Sequence, residues 1–185
     1  MRLAQDPDAD ALLEADPFAL LVGMLLDQQQ PMERAFLGPY RICERLGWRR
    51  LEPAAVVSLG AEHLTEVMRQ TPAVHRFPGS MAQRIVALSQ AVVDHYEGDP
   101  ENIWRSGSAR TVLNRLQDLP GFGEAKSKIF LALLGKQRGV RPRGWRDVSA
   151  PYGAEGTTLS AADVVDEASL SAVRATKREM KTRAG

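Results

Sequence analysis

Leu119-Pro120-Gly121-Phe122-Gly123, followed by Glu124-Ala125-Lys126-Ser127-Lys128-Ile129 and an apolar run to Leu134, is the stretch that decides how this chain folds. Pro120 presets φ near −65° at the entry to a turn, and Gly121 and Gly123 admit positive φ and a close backbone approach. The pattern predicts a tight hairpin between two helices. The second helix opens with amides that have no intrahelical acceptor, at the end where the helix dipole favours an anion. Lys126 and Lys128 stand one turn further in.

Working outward, the charge pattern strengthens this reading. From Lys126 through Arg146 there are seven basic residues (Lys126, Lys128, Lys136, Arg138, Arg141, Arg143 and Arg146) and no acidic one, in a chain whose net charge is +1. The first twenty residues hold Asp6, Asp8, Asp10, Glu14 and Asp16 against Arg2 alone. Such asymmetry predicts one face that suits a polyanion. A glycine-paved helix start flanked by lysines is suited to holding nucleic-acid phosphate without reading a base.

A chain of 185 residues fits one domain, 1–185, with the hairpin at about 107–135 and a frayed basic tail at 177–185. The single cysteine, Cys43, rules out an internal disulfide and any cluster or zinc site built from several cysteines, so no cofactor or metal is expected. The longest apolar stretch, Phe18 to Leu26, falls short of the roughly 20 residues that span a bilayer. With no secretory signal pattern either, a cytoplasmic monomer is expected.

Helical periodicity runs through the chain. Phe18 to Leu26 is apolar on nearly every side, as in a central buried helix. Phe36, Tyr40 and Cys43 share a face, with Pro39 near a helix start; Leu64, Val67, Met68 and Thr71 share another. Ser80 is expected to cap a long helix carrying Met81, Ile85, Leu88, Val92 and Tyr96. Val112, Leu113 and Leu116 enter the hairpin, and Ile129, Phe130, Leu133 and Leu134 leave it; Gly135 to Gly156 is irregular, and a last helix spans Leu170, Val173 and Met180. No stretch alternates with period two. The fold class is all-α.

Three features occur together in order: Leu25-Leu26-Asp27-Gln28-Gln29 after a buried helix, the Ser80-Met-Ala-Gln-Arg-Ile helix, and Leu-Pro-Gly-Phe-Gly at 119–123. In this the chain resembles the helix-hairpin-helix DNA glycosylases, the group that includes endonuclease III, over residues 17 to 148. The resemblance implies a two-lobed fold that holds duplex DNA, flips a damaged or mismatched base, and cleaves its N-glycosidic bond in base excision repair. Gly121, Phe122, Gly123, Lys126 and Lys128 would then hold backbone phosphate. Gln29, with Gln28 beside it, would fill the space the flipped base leaves, its amide bonding to the widowed partner.

Such chemistry needs a carboxylate near C1′ to stabilise an oxocarbenium ion and orient water. Counting from the hairpin lands near Arg143, where there is no acid; Asp147, the only acid between Glu124 and Glu155, is one candidate and Asp27 the other. The family's lyase members attack C1′ with a lysine at the second residue after the last hairpin glycine, which here is Ala125. Lys126 follows, rotated by about 100°. A monofunctional glycosylase is the expectation, with Lys126 on phosphate and nucleophilic only if lyase activity exists; the alternative is a DNA-binding protein without catalysis. His75, in a proline-bounded loop, and Trp104 and Trp145 are expected to be structural rather than base contacts.

Overall fold

The computed structural model describes residues 1–184, which contain ten α-helices and no strand. They are α1 (Pro7–Ala15), α2 (Pro17–Leu26), α3 (Met32–Leu46), α4 (Pro53–Leu59), α5 (Ala61–Arg69), α6 (Pro78–Tyr96), α7 (Ala109–Gln117), α8 (Glu124–Gln137), α9 (Trp145–Val148) and α10 (Glu167–Ala184). Short 3-10 turns cover Pro100–Ile103 and Ala161–Asp163. None of these helices is long and apolar enough to cross a membrane.

Proline sets several helix starts. Pro7, Pro17, Pro53 and Pro78 each occupy a first-turn position, where the missing amide costs nothing and the fixed φ is already helical. Asp6 and Asp16, each just before such a proline, cap α1 and α2 with their carboxylates. Asp16 is buried and accepts a third bond from the Leu51 amide at 2.7 Å, tying α2 to the α3–α4 connection. The expected cap at Ser80 is not used: Pro78 starts α6 two residues earlier, and Phe77 precedes it without a side-chain cap. Pro39 likewise lies inside α3 rather than near its start. Gly38 beside it lets α3 close on α2, since a β-carbon there would sit 2.6 Å from Leu26 Cδ1.

α2 is the centre of the molecule, with nine of its ten residues buried. α1 and α3 pack on it; α4 and α5 pack on α6. The hairpin pair α7 and α8 contributes Val112, Leu113, Leu116, Phe130 and Leu131 to Leu134 to the same core. Helix α8 is then covered from the C-terminal side by the Ala161–Asp163 turn, where Asp163 pairs with Lys136 at 2.5 Å. The chain beyond Pro151 is therefore part of the core's packing, and Leu170 and Val173 complete it. Residues 177–184 continue α10 as helix instead of fraying; Gly185 lies outside the described residues.

Candidate functional site

The hairpin forms as the sequence predicts, and its contact with the end of α2 builds the site. Gly121 has φ of +82°, and a β-carbon there would lie 2.4 Å from Leu25 Cδ1, so only glycine meets both demands. Gly123 is different: at φ −74°, ψ 177° it is ordinary extended backbone facing open space. Its expected positive φ is not needed. The amides of Gly121, Gly123, Glu124, Ala125 and Lys126 have no backbone acceptor among the described residues.

Lys126 points inward. Its Nζ donates to the carbonyls of Met24 at 2.8 Å and Leu25 at 3.1 Å, across a hundred residues of sequence. A cation on the last carbonyls of α2 suits the negative end of that helix. Burial lowers its pKa from 10.5 to about 8, against the opposing pull of Asp27. The Lys126 ammonium, expected at a phosphate, is here engaged on the end of α2.

Glutamines complete the same helix end. Gln28 Nε2 donates to the Leu25 carbonyl at 2.7 Å, and Gln30 Nε2 to that of Leu26 at 3.1 Å. Gln28 is held further by Arg84, whose guanidinium donates to Oε1 at 3.0 Å, and by His75, whose Nε2 lies 2.9 Å from the Gln28 carbonyl. The Phe77 amide donates to His75 Nδ1, which leaves the proton on Nε2 and makes that ring the donor to Gln28. Burial lowers the His75 pKa, and the ring has the structural role expected of it. Only Gln29 is free. It is exposed, makes no side-chain hydrogen bond among the described residues, and sits at φ +55°, a left-handed conformation that costs a non-glycine residue roughly 1–2 kcal/mol.

Asp27 closes α2 at the same point, its backbone amide bonded to Gly23 and Met24. No hydrogen bond reaches its part-buried carboxylate among the described residues, and desolvation raises its pKa, opposed by the charges of Lys177 and Lys126 and assisted by Glu33. Gln30 Oε1 and Glu33 Oε2 are buried nearby without a partner, while the other oxygen of Glu33 takes an ion pair from Arg174 of α10. One short segment thus gathers a carboxylate of raised pKa, a lysine of lowered pKa, and an exposed, strained glutamine.

The side chains of the remaining expected site residues make no hydrogen bond to this segment among the described residues. Asp147 is exposed in the four-residue helix α9, and no hydrogen bond or ion pair connects its side chain to Asp27, Gln29 or Lys126. Phe122 is buried edge-on against Phe130 at 5.9 Å, so its ring is core and not a DNA contact. Lys128 pairs with Glu124 at 2.7 Å. Trp104 packs on Phe130, and Trp145 lies against Gly135, where a β-carbon would come within 2.5 Å of the indole. Both indoles are structural.

The basic run also dissolves. Arg138 donates to carbonyls of Leu13 and Glu14 at the end of α1, Arg141 to that of Gly135, and Arg146 pairs with Glu155 while stacking on Trp145. With Lys126, Lys128 and Lys136 also engaged, Arg143 alone of the seven makes no hydrogen bond or ion pair among the described residues. Six of the seven cations thus tie the chain to itself. Against known proteins, no family model matches the chain, and no curated protein or solved structure matches it.

Proposed function

We propose that the protein is a monofunctional DNA glycosylase of the helix-hairpin-helix kind, which flips a damaged or mismatched base from duplex DNA and hydrolyses its N-glycosidic bond. The observation that carries this reading is the seam between α2 and the hairpin. Lys126 ties the two together, and beside it stand an uncommitted carboxylate and an uncommitted glutamine.

In this reading Gln29 enters the stack and Asp27 faces C1′. The C1′–N bond breaks with its electron pair leaving on the base, and the carboxylate stabilises the cationic sugar. Water adds its oxygen to C1′ and gives a proton to Asp27, which burial has made a stronger base than an ordinary aspartate. Asp27 thus takes the role for which Asp147 was the other candidate. Lys126 positions α2 and does not attack, because its ammonium already donates to two carbonyls. The open amides from Gly121 to Lys126 would hold a phosphate.

The test is a panel of duplexes carrying uracil, alkylated bases, 8-oxoguanine or mismatches, scored for abasic sites under single turnover. At least one should be processed, with no borohydride-trapped adduct. Duplex binding with no base released from any of them would leave the non-catalytic DNA-binding alternative.

A further inference from the structure

Helix α10 changes character halfway along. Its inward stripe begins with Leu170 and Val173, both buried. At helical spacing the same stripe continues through Lys177, Met180 and Lys181, all exposed. A helix whose packed stripe turns from apolar to basic has left the core, and two bonds fix where it leaves. Arg174 pairs with Glu33 of α3, and the hydroxyls of Thr176 and Thr158 meet at 2.7 Å. Lys177 follows at once, and its charge opposes the burial that raises the Asp27 pKa.

Beyond that point Lys177, Arg178, Lys181 and Arg183 make no ion pair among the described residues, and Glu179 is the one acid in the segment. The contrast with the hairpin is sharp. There Lys126 is turned inward and Lys128 is neutralised by Glu124. The two hairpin lysines are engaged, whereas the four cations of outer α10 are not.

We propose that the outer part of α10, residues 177–183, is a clamp for the backbone of duplex DNA, a second phosphate-contact surface beside Asp27 and separate from the hairpin. This rests on the duplex-binding reading above. Its electrostatics suit a phosphate backbone, which is bound through charge and counterion release without reading of bases. Met180, exposed between the two lysines, offers an apolar contact to the sugars.

The test measures affinity of the full chain for undamaged duplex across a range of salt. Removing one phosphate-binding cation should reduce the slope of log K against log salt by about 0.9. The double variant Lys177→Ala/Lys181→Ala should therefore flatten the slope by about 1.8 and weaken binding at least tenfold at low salt, while Lys177→Arg/Lys181→Arg keeps the wild-type slope. Circular dichroism should be unchanged, since both side chains are exposed. Gly123→Val is the hairpin control, its backbone and surroundings tolerating a side chain in the free protein. If the alanine pair keeps the full slope while Gly123→Val loses affinity, duplex binding stands and the clamp is wrong. If the alanine pair moves only the pH profile of base release, Lys177 merely tunes Asp27 and the clamp is again wrong. A wild-type protein that binds no duplex at low salt removes the underlying reading and the clamp with it.

Discussion

The end of α2 meets the hairpin through Lys126 and Gly121, the segment from Gly139 to Val148 packs on the hairpin helices through α9, and both carry an acid, yet they are held in opposite ways. At α2 every terminal carbonyl is engaged: those of Gly23 and Met24 by the Asp27 amide, Met24 and Leu25 by Lys126, Leu25 and Leu26 by glutamine side chains. Asp27 sits inside that framework with its own carboxylate unused. The later segment bends through Gly139 and Gly144 at positive φ, and Asp147 stands on a single exposed turn of helix. Reactive groups need a rigid surround that leaves one of them unsatisfied. Only the α2 end has that character.

The difference is open to attack at the glycines. Gly121 and Gly139 both have positive φ, but a side chain at Gly121 meets Leu25 whereas one at Gly139 meets nothing within 4 Å. Gly121→Val should cost about 3 kcal/mol or more, from strain and overpacking together, and Gly139→Val only about 1–2 kcal/mol from strain alone. Urea unfolding of the two variants measures this; equal losses would mean the seam is no tighter than the loop.

Lys126→Met should cost about 1–2 kcal/mol, because carbonyls of α2 lose their donor. The variant also carries a pH signature. With the folded pKa near 8 and the unfolded value at 10.5, the unfolded chain binds more protons between those values. Wild-type stability should therefore rise with pH across that window relative to Lys126→Met, and the difference should be flat below pH 7. A parallel pair of stability curves would place Lys126 in solvent.

A smaller effect is expected at Gln29. Gln29→Gly relieves the left-handed strain but adds chain entropy, so stability should change by less than about 1 kcal/mol, with stabilisation favoured. Base release should nevertheless slow while undamaged-duplex affinity holds, and unchanged single-turnover rates would remove Gln29 from the wedge role.

Local signals make the all-α class and the hairpin legible in sequence: proline and glycine at the turn, and apolar spacing of three and four. Helices α1 and α4 escape that spacing, although Asp6-Pro7 and Glu52-Pro53 each place a proline at a first helical turn. The site is legible only in part. Gln29 can be singled out from its loop, but not that Gln28 and Gln30 are consumed in capping α2. Counting cations along the chain does not reveal that carbonyls and acids engage all but Arg143, some near in sequence, as Glu124 is to Lys128, and some far, as Leu13 is to Arg138. Lys126 is misplaced for the same reason: its partners lie a hundred residues away, and helical rotation alone cannot reveal them. The clamp candidate sits in residues that read as a tail, since the shift of α10's stripe from apolar to basic gains meaning only once Leu170 and Val173 are seen to be buried.

The most direct test of Asp27 as the catalytic carboxylate compares Asp27→Asn with Asp147→Asn in single-turnover base release from the best duplex of the lesion panel. Either change keeps size while removing charge, and at Asp27 it relieves a desolvated carboxylate, so the variant should fold. Asp27→Asn is expected to bind duplex normally and lose on the order of 3 kcal/mol of transition-state stabilisation, roughly a hundredfold in rate or more, while Asp147→Asn stays within about twofold of wild type. A fully active Asp27→Asn beside an inactive Asp147→Asn would contradict this assignment.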